Sequence, residues 1–228
     1  MNGHRAAIFV SAVMDEFEIA RANMIVSQVR PNGITEPRLI EAMARVPRET
    51  FVPAERRHLA YMDEDVAVKP GRFLMEPMAL ARLLQLAVIA SDDDVLHVGC
   101  ATGYGSAVLA QIARRVVAID EDRDLVSLAK ETLASSGVTF FVAPHAKGVP
   151  DAGPFDVIFI DGRVPAVPPA LLAQLKDDGR LVAVVGMGGT ASAKLFRKHG
   201  GSISERTAFD ASVAVLPGFT VDRPAFVF

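Results

Sequence analysis

The sequence predicts an α/β protein: a doubly wound, mostly parallel sheet preceded by an N-terminal helical addition. Three observations carry this reading. Apolar runs rich in β-branched residues, Val95 to Val98, Val116 to Ile119, Val138 to Val142, Val157 to Ile160 and Leu181 to Val185, recur every roughly 20 to 25 residues with helical stretches between them. The runs are apolar on both faces instead of alternating, which suits strands covered by helices on each side. The first run passes through glycines at 99, 103 and 105 into a helical stretch, the pattern of a strand-to-helix turn.

The first third of the chain reads as helical. Val13, Phe17, Ala20, Met24 and Val29 recur near a 3.6-residue period, which predicts an amphipathic helix over Ala12 to Val29. The apolar stretch Ala6 to Met14 ahead of it reads as helix and not as an export signal, because Asp15, Glu16 and Glu18 stand where a cleavage site needs small residues. Pro31-Asn32-Gly33 stops this helix. A second is expected from Thr35, whose hydroxyl can cap the amides ahead, with Pro37 in its first turn and Leu39, Ile40 and Met43 as its apolar face. Pro47 ends it, and Pro47 to Pro53 is expected to be extended. The expected division is a helical region over 1–70 packed on an α/β core over 71–228, one structural domain in all. Ser212 to Leu216 and Ala225 to Phe228, separated by Pro217-Gly218, read as terminal strands, one of them antiparallel at the sheet edge.

Composition excludes several classes. With 228 residues, 50 % of them hydrophobic, the chain needs no cross-links to fold. A chain of this length buries roughly 70 % of its unfolded surface. The lone Cys100 cannot form an internal disulfide and favours a reducing cytoplasm. No uncharged run approaches the ~20 residues that span a bilayer, so no membrane role is expected. A net charge of −3 argues against nucleic acid as a partner. Oligomeric state leaves no signal in the sequence.

The chemistry concentrates at residues 94–120. Glycines in the turn permit positive φ and close approach of a ligand to the backbone, and the helix start offers free amides. The next strand closes on Asp120, twenty-one residues beyond Gly99, about where an acid accepts ribose hydroxyls in nucleotide-binding βαβ units. A dinucleotide fingerprint would need glycines at 101 and 104, which are Ala101 and Tyr104, and the chain has no Gly-Lys-Ser/Thr triplet for a phosphate loop. Gly99 and Gly103, four residues apart with Asp120 beyond, fit the adenosine and methionine moieties of S-adenosylmethionine.

Wider motifs then become specific. Val46-Pro47-Arg48-Glu49-Thr50-Phe51-Val52-Pro53, Ala60-Tyr61-Met62-Asp63, the glycine turn, Pro154-Phe155-Asp156-Val157-Ile158 and Gln174-Leu175-Lys176-Asp177-Asp178-Gly179-Arg180-Leu181-Val182 resemble segments of the protein-L-isoaspartate O-methyltransferases, from about Met24 onward. The resemblance implies a seven-stranded, Rossmann-like methyltransferase sheet. It also implies methyl transfer from S-adenosylmethionine to the free carboxylate of an isoaspartyl residue, the first step in repair of a damaged protein or peptide. Gly99, Cys100, Ala101, Gly103, Tyr104, Asp120, Glu121 and His145 would then surround the cofactor, and Tyr61, Arg72, Met75 and Glu76 would line the acceptor side. Neither a metal nor a Ser-His-Asp triad is expected, since a sulfonium methyl is already activated and a carboxylate is already ionised.

The sequence departs from the family pattern at four places, one of them the adjacent pair Met75-Glu76. Met75 stands in place of a serine that helps hold the substrate carboxylate, and Glu76 beside it adds a negative charge that Arg72 could offset. His97 replaces an acid at the end of the first strand, Ala101 replaces the middle glycine, and His145 stands where the family has an acid facing the adenine amine. Two alternatives follow: a degenerate relative acting as a binding or scaffold module, or a methyltransferase with a different acceptor.

Overall fold

The computed structural model describes residues 15–219. The expectations for Ala6 to Met14 and for a strand at Ala225 to Phe228 lie outside the described residues. Helix α1 (Glu16–Met24) opens the described chain, with the Glu18 carboxylate accepting from the Asp15 amide at 3.2 Å. It runs into a π-helical turn over Ile25–Val29 and a 3-10 turn over Arg30–Asn32, closed by Gly33 at φ 77°. Helix α2 (Pro37–Arg45) buries Leu39, Ala42 and Met43. Its cap is Glu36 and not Thr35: the Glu36 carboxylate accepts from Arg38 N at 3.3 Å, while the Thr35 amide is taken by Gln85 Oε1 at 2.7 Å.

The stretch from Pro47 to Pro53 is not extended as expected, because Arg48–Phe51 form a 3-10 turn. The cause is Arg48, fully buried, whose Nε donates to Ala60 O at 2.6 Å and Nη2 to Met75 O at 2.7 Å. Burying a guanidinium is costly without acceptors, and the turn wraps around the side chain to supply them to Nε and Nη2, while Nη1 has no partner and the group lies over the Tyr104 ring. The same two bonds fix the loop carrying Met75. Strands β1 (Val66–Lys69) and β2 (Arg72–Leu74) form a separate antiparallel hairpin through Gly71 at φ 72°, and helix α3 (Pro77–Ala87) follows.

The core alternates as expected: β3 (Asp94–Val98), α4 (Tyr104–Ala110), β4 (Arg115–Asp120), α5 (Arg123–Thr132), β5 (Thr139–Val142), β6 (Phe155–Val164), α6 (Pro169–Ala173) and β7 (Leu175–Met187). Two antiparallel strands, β8 (Thr190–His199) and β9 (Ser202–Asp210), complete a seven-stranded sheet of order β5-β4-β3-β6-β7-β8-β9. The five strands read from the apolar runs are the parallel ones. The terminal strands are a correction. The antiparallel edge lies at 190–210, and Ser212 to Leu216 forms no ladder, only a single bridge from Val215 to Arg163.

Strand geometry decides which face each residue serves. Successive side chains point to opposite faces. In β3, therefore, Val95 joins the core shared with α3, α4 and the N-terminal helices, while Leu96 and Val98 join the core shared with α6 and Leu216. Every residue of β3 is buried. His97, on the same face as Val95, is thereby aimed at α4. Among the described residues no helix is long and apolar enough to cross a membrane.

Candidate functional site

The sheet changes winding direction at β3, which pairs with β4 on one side and β6 on the other. In open α/β sheets a ligand crevice forms outside the carboxyl ends of the strands at such a switch. The turn after β3 is left-handed at three residues, Gly99 (φ 82°), Ala101 (φ 46°) and Gly103 (φ 100°). For alanine that conformation costs roughly 1–2 kcal/mol. It is held because the amides of Gly99 and Cys100 donate to Ile119 O at 2.9 and 3.0 Å and the Ala101 amide donates to Asp120 Oδ2 at 2.9 Å. Thr102 Oγ1 ties the turn to Phe51 O at 2.7 Å.

Asp120 is the centre of the arrangement. Its carboxylate accepts both Arg72 Nη1 and Nη2 at 2.5 Å, the Asp122 amide at 3.0 Å and the Ala101 amide, and no part of it is exposed. Burial by itself pushes a carboxyl up, but the Arg72 fork, the neighbouring His145 ring and the Asp122 amide outweigh it and hold Asp120 well below the usual carboxylate range. Beside it, His145 donates from Nδ1 to Pro217 O at 2.9 Å, since a carbonyl can only accept, and Nε2 accepts the Glu121 amide at 3.2 Å. Glu121 returns the contact by accepting the His145 amide at 2.8 Å.

The residues after β9 lie across this edge. Ala214 N donates to Asp65 Oδ2 at 2.7 Å, and Leu216 N and Ala214 O bracket Arg163 at 2.9 Å each. Leu216 covers the turn so closely that a Cβ on Gly99 would meet its methyls at 2.6 and 2.7 Å. Phe219 stacks on His145 with ring centres 6.2 Å apart.

The sequence-named residues divide into two groups. Gly99, Ala101, Gly103, Asp120, Glu121 and His145 meet at the carboxyl edge. Cys100 and Tyr104 contribute backbone there, but their side chains turn inward. Cys100 packs with Ala118, Val126 and Phe140, and burial raises its thiol pKa. Tyr104 lies edge-on to Phe51 and under the Arg48 guanidinium. On the acceptor side, Arg72 and Met75 border a cavity of about 20 Å³ with Asp65, Asp161, Val213 and Leu216, room for about one water. Tyr61 is not there. Its hydroxyl donates to Glu49 and accepts from Arg21 Nη1 at 3.3 Å.

Ser106 was not named from the sequence, and its partner His97 was named only as a departure from the family pattern. His97 accepts Ser106 Oγ at Nδ1, 2.8 Å, and its Nε2 donates to Asp161 Oδ2 at 3.1 Å. This Ser106-His97-Asp161 line has the composition of a nucleophilic triad, contrary to the expectation that none would be found. Ser106 is fully buried, so its hydroxyl meets no substrate, and the line instead braces α4 against β3 and β6. Gly105 is its enabling residue, since a Cβ there would come within 2.8 Å of His97 Cε1 and 3.0 Å of Asp161 Oδ2. Among the described residues a potential metal cluster exists only at Asp177, Asp178 and His199, exposed at the opposite edge of the sheet.

Glu76 is half-buried, and burial followed by the charges of Asp63, Asp65 and Glu64 pushes its carboxyl up to about 7. The folded protein therefore binds a proton that the unfolded chain has released between the ordinary glutamate range and pH 7. Folded stability then falls as pH rises through that window. Glu76→Gln is expected to flatten this decline in melting temperature between pH 5 and 7.5. An unchanged profile would show that Glu76 is ordinarily ionised.

Fold and topology together define the class: a Rossmann-like α/β protein with its glycine turn and Asp120 at the switch point of the sheet. The profile of the Protein-L-isoaspartate(D-aspartate) O-methyltransferase (PCMT) family matches residues 20–217. A protein-L-isoaspartate O-methyltransferase of Koribacter versatilis is 38 % identical over 197 residues, covering 85 % of this chain and 88 % of the relative. Another, from Trichlorobacter lovleyi, is 34 % identical over 209 residues, covering 90 % and 96 %. A solved structure from Plasmodium falciparum, described as a beta-aspartate methyltransferase in complex with S-adenosyl-L-homocysteine, superposes with a TM-score of 0.74. It is 17 % identical and covers 89 % of this chain and 99 % of its own, a likeness of fold. The chain belongs to the PCMT family.

Proposed function

We propose that the chain is an S-adenosylmethionine-dependent O-methyltransferase that methylates the free carboxylate of isoaspartyl residues in protein. The observation that carries this is the left-handed turn at 99–103 facing Asp120 across the switch point, within a chain matched by the PCMT family from residue 20 to 217.

The residues suit the cofactor chemically. Asp120 offers two acceptor oxygens for the ribose diol, the left-handed turn lets the backbone come close, and His145 stands on the adenine side. In the conformation described, Arg72 and Leu216 fill the adjoining space, so entry requires both side chains to shift. When bound, the cofactor supplies a methyl already activated on a sulfonium. A carboxylate with a pKa of about 4 is ionised at pH 7, so the protein has no base to provide. Its task is alignment and exclusion of water. The loop fixed by Arg48 through Met75 O sets the acceptor wall, and the Ser106-His97-Asp161 line keeps the turn in register.

The acceptor is thus a protein or peptide carboxylate, and the lone buried Cys100 suits a reducing cytoplasm. Labelled-methyl transfer to an isoaspartyl peptide beside its aspartyl counterpart tests the reading. Label is expected on the isoaspartyl peptide alone, and equal background labelling of both would overturn it.

A further inference from the structure

We propose that Arg72 is an internal competitor for the ribose position, displaced from Asp120 whenever the cofactor binds; this deepens the functional reading above and rests on it.

The argument is one of counting. A carboxylate has about four lone-pair positions for donors. Asp120 already receives four N–H groups, from Arg72 Nη1, Arg72 Nη2, Ala101 N and Asp122 N, and has no exposed surface. A ribose diol can therefore donate to Asp120 only by replacing donors. The Ala101 amide belongs to the glycine turn and the Asp122 amide to the start of α5, and removing either would undo the backbone that forms the site. Arg72 is the only side chain among the four; the His145 ring also lies against the carboxylate, Nε2 at 3.5 Å from Oδ1, but that nitrogen is taken by the Glu121 amide and donates nothing to Asp120.

The placement of Arg72 makes exchange possible. It comes from the β1–β2 hairpin, which is not part of the seven-stranded sheet. Its side chain also borders the small cavity with Met75, Asp65 and Asp161, and those two carboxylates can receive the guanidinium when it leaves Asp120. A bidentate fork keeps Asp120 charged and satisfied while no cofactor is present, and the ribose takes over both tasks. Apparent cofactor affinity is then lowered by the fraction of molecules in which the fork is closed.

Calorimetric titration with S-adenosylhomocysteine tests this on the wild-type protein, Arg72→Gln and Arg72→Lys. Arg72→Gln is expected to bind roughly tenfold tighter or more than wild type, because the competing state is removed. Arg72→Lys should fall between them, since an ammonium keeps the charge but not the fork. If Arg72→Gln binds no tighter than wild type, the proposal is overturned. Should Arg72→Gln fail to fold, side-chain nitrogen NMR of the wild-type protein decides. The Arg72 guanidinium protons are expected to be protected without ligand and to exchange rapidly at saturating S-adenosylhomocysteine, and protection that survives saturation overturns the proposal. The two readings fail separately. Wild-type protein that binds S-adenosylhomocysteine and labels the isoaspartyl peptide, with no gain in Arg72→Gln, removes the competitor alone. No binding by any of the three proteins, with no labelling, removes both.

Discussion

Asp120→Ala is expected to lower folding stability by about 3–5 kcal/mol, the cost of leaving one partner of a buried ion pair uncompensated. The stranded partner is Arg72, whose side chain is only 7 % exposed. The same substitution should abolish binding of S-adenosylhomocysteine, because the ribose loses its acceptor. A double variant, Asp120→Ala with Arg72→Met, separates the two effects: it should regain most of the stability and none of the binding. Urea denaturation and calorimetry check both outcomes, and unchanged affinity in the single variant would refute the ribose role. A pH dependence follows with a definite sign. The folded carboxyl is held below its unfolded value, so its contribution is present above pH ~4 and is lost on acidification. Asp120→Ala should lack that part of the acid-induced decline.

Gly99→Ala is the second large effect. The φ of 82° costs an alanine roughly 1–2 kcal/mol, and the new Cβ would lie 2.6 Å from a Leu216 methyl. If Leu216 stays, overpacking adds roughly 1–3 kcal/mol. If it moves, the segment at 213–216 lifts with it, so amide hydrogen exchange at those residues should accelerate along with the fall in melting temperature. A lower melting temperature with unchanged exchange would place all of the cost in the backbone. Ala101, two residues on, already carries a Cβ at φ 46° with its amide bonded to Asp120; the Gly99 amide is likewise bonded, to Ile119 O, so what sets Gly99 apart is Leu216 in the space its Cβ would take.

The contrast between what was legible and what was not has physical reasons. Strands β3, β4 and β6 and the middle of β7 are buried on both faces, so their apolar runs stand out; β5, at the edge, buries only Phe140 and is legible from its β-branched and aromatic composition. Strand β9 has no buried residue, and its Ser-Ile-Ser-Glu-Arg-Thr composition carries no hydrophobic period to read. Ser212 to Leu216 misled for the opposite reason: it is apolar because Val213 and Leu216 pack onto the core and the glycine turn, not because it pairs in a sheet. The place of Asp120 at the end of β4, beside the glycine turn, was legible because it follows from strand length and turn geometry. Its partner Arg72 lies 48 residues away on a different hairpin, a distance over which sequence spacing says nothing. Likewise Ser106 and Asp161 acquire meaning only through the histidine between them, which alternation on β3 aims at α4.

The position of the covering segment in the chain bears on how the site is made. Residues 99–120 emerge from the ribosome long before residues 213–219, and Leu216, Pro217 and Phe219 supply the contacts over Gly99 and His145. Through most of synthesis the turn and the acid are therefore bare. The site is completed only after the edge strands β8 and β9 have emerged, so a nascent chain stalled before them would carry the cofactor-binding motif without the wall that closes it.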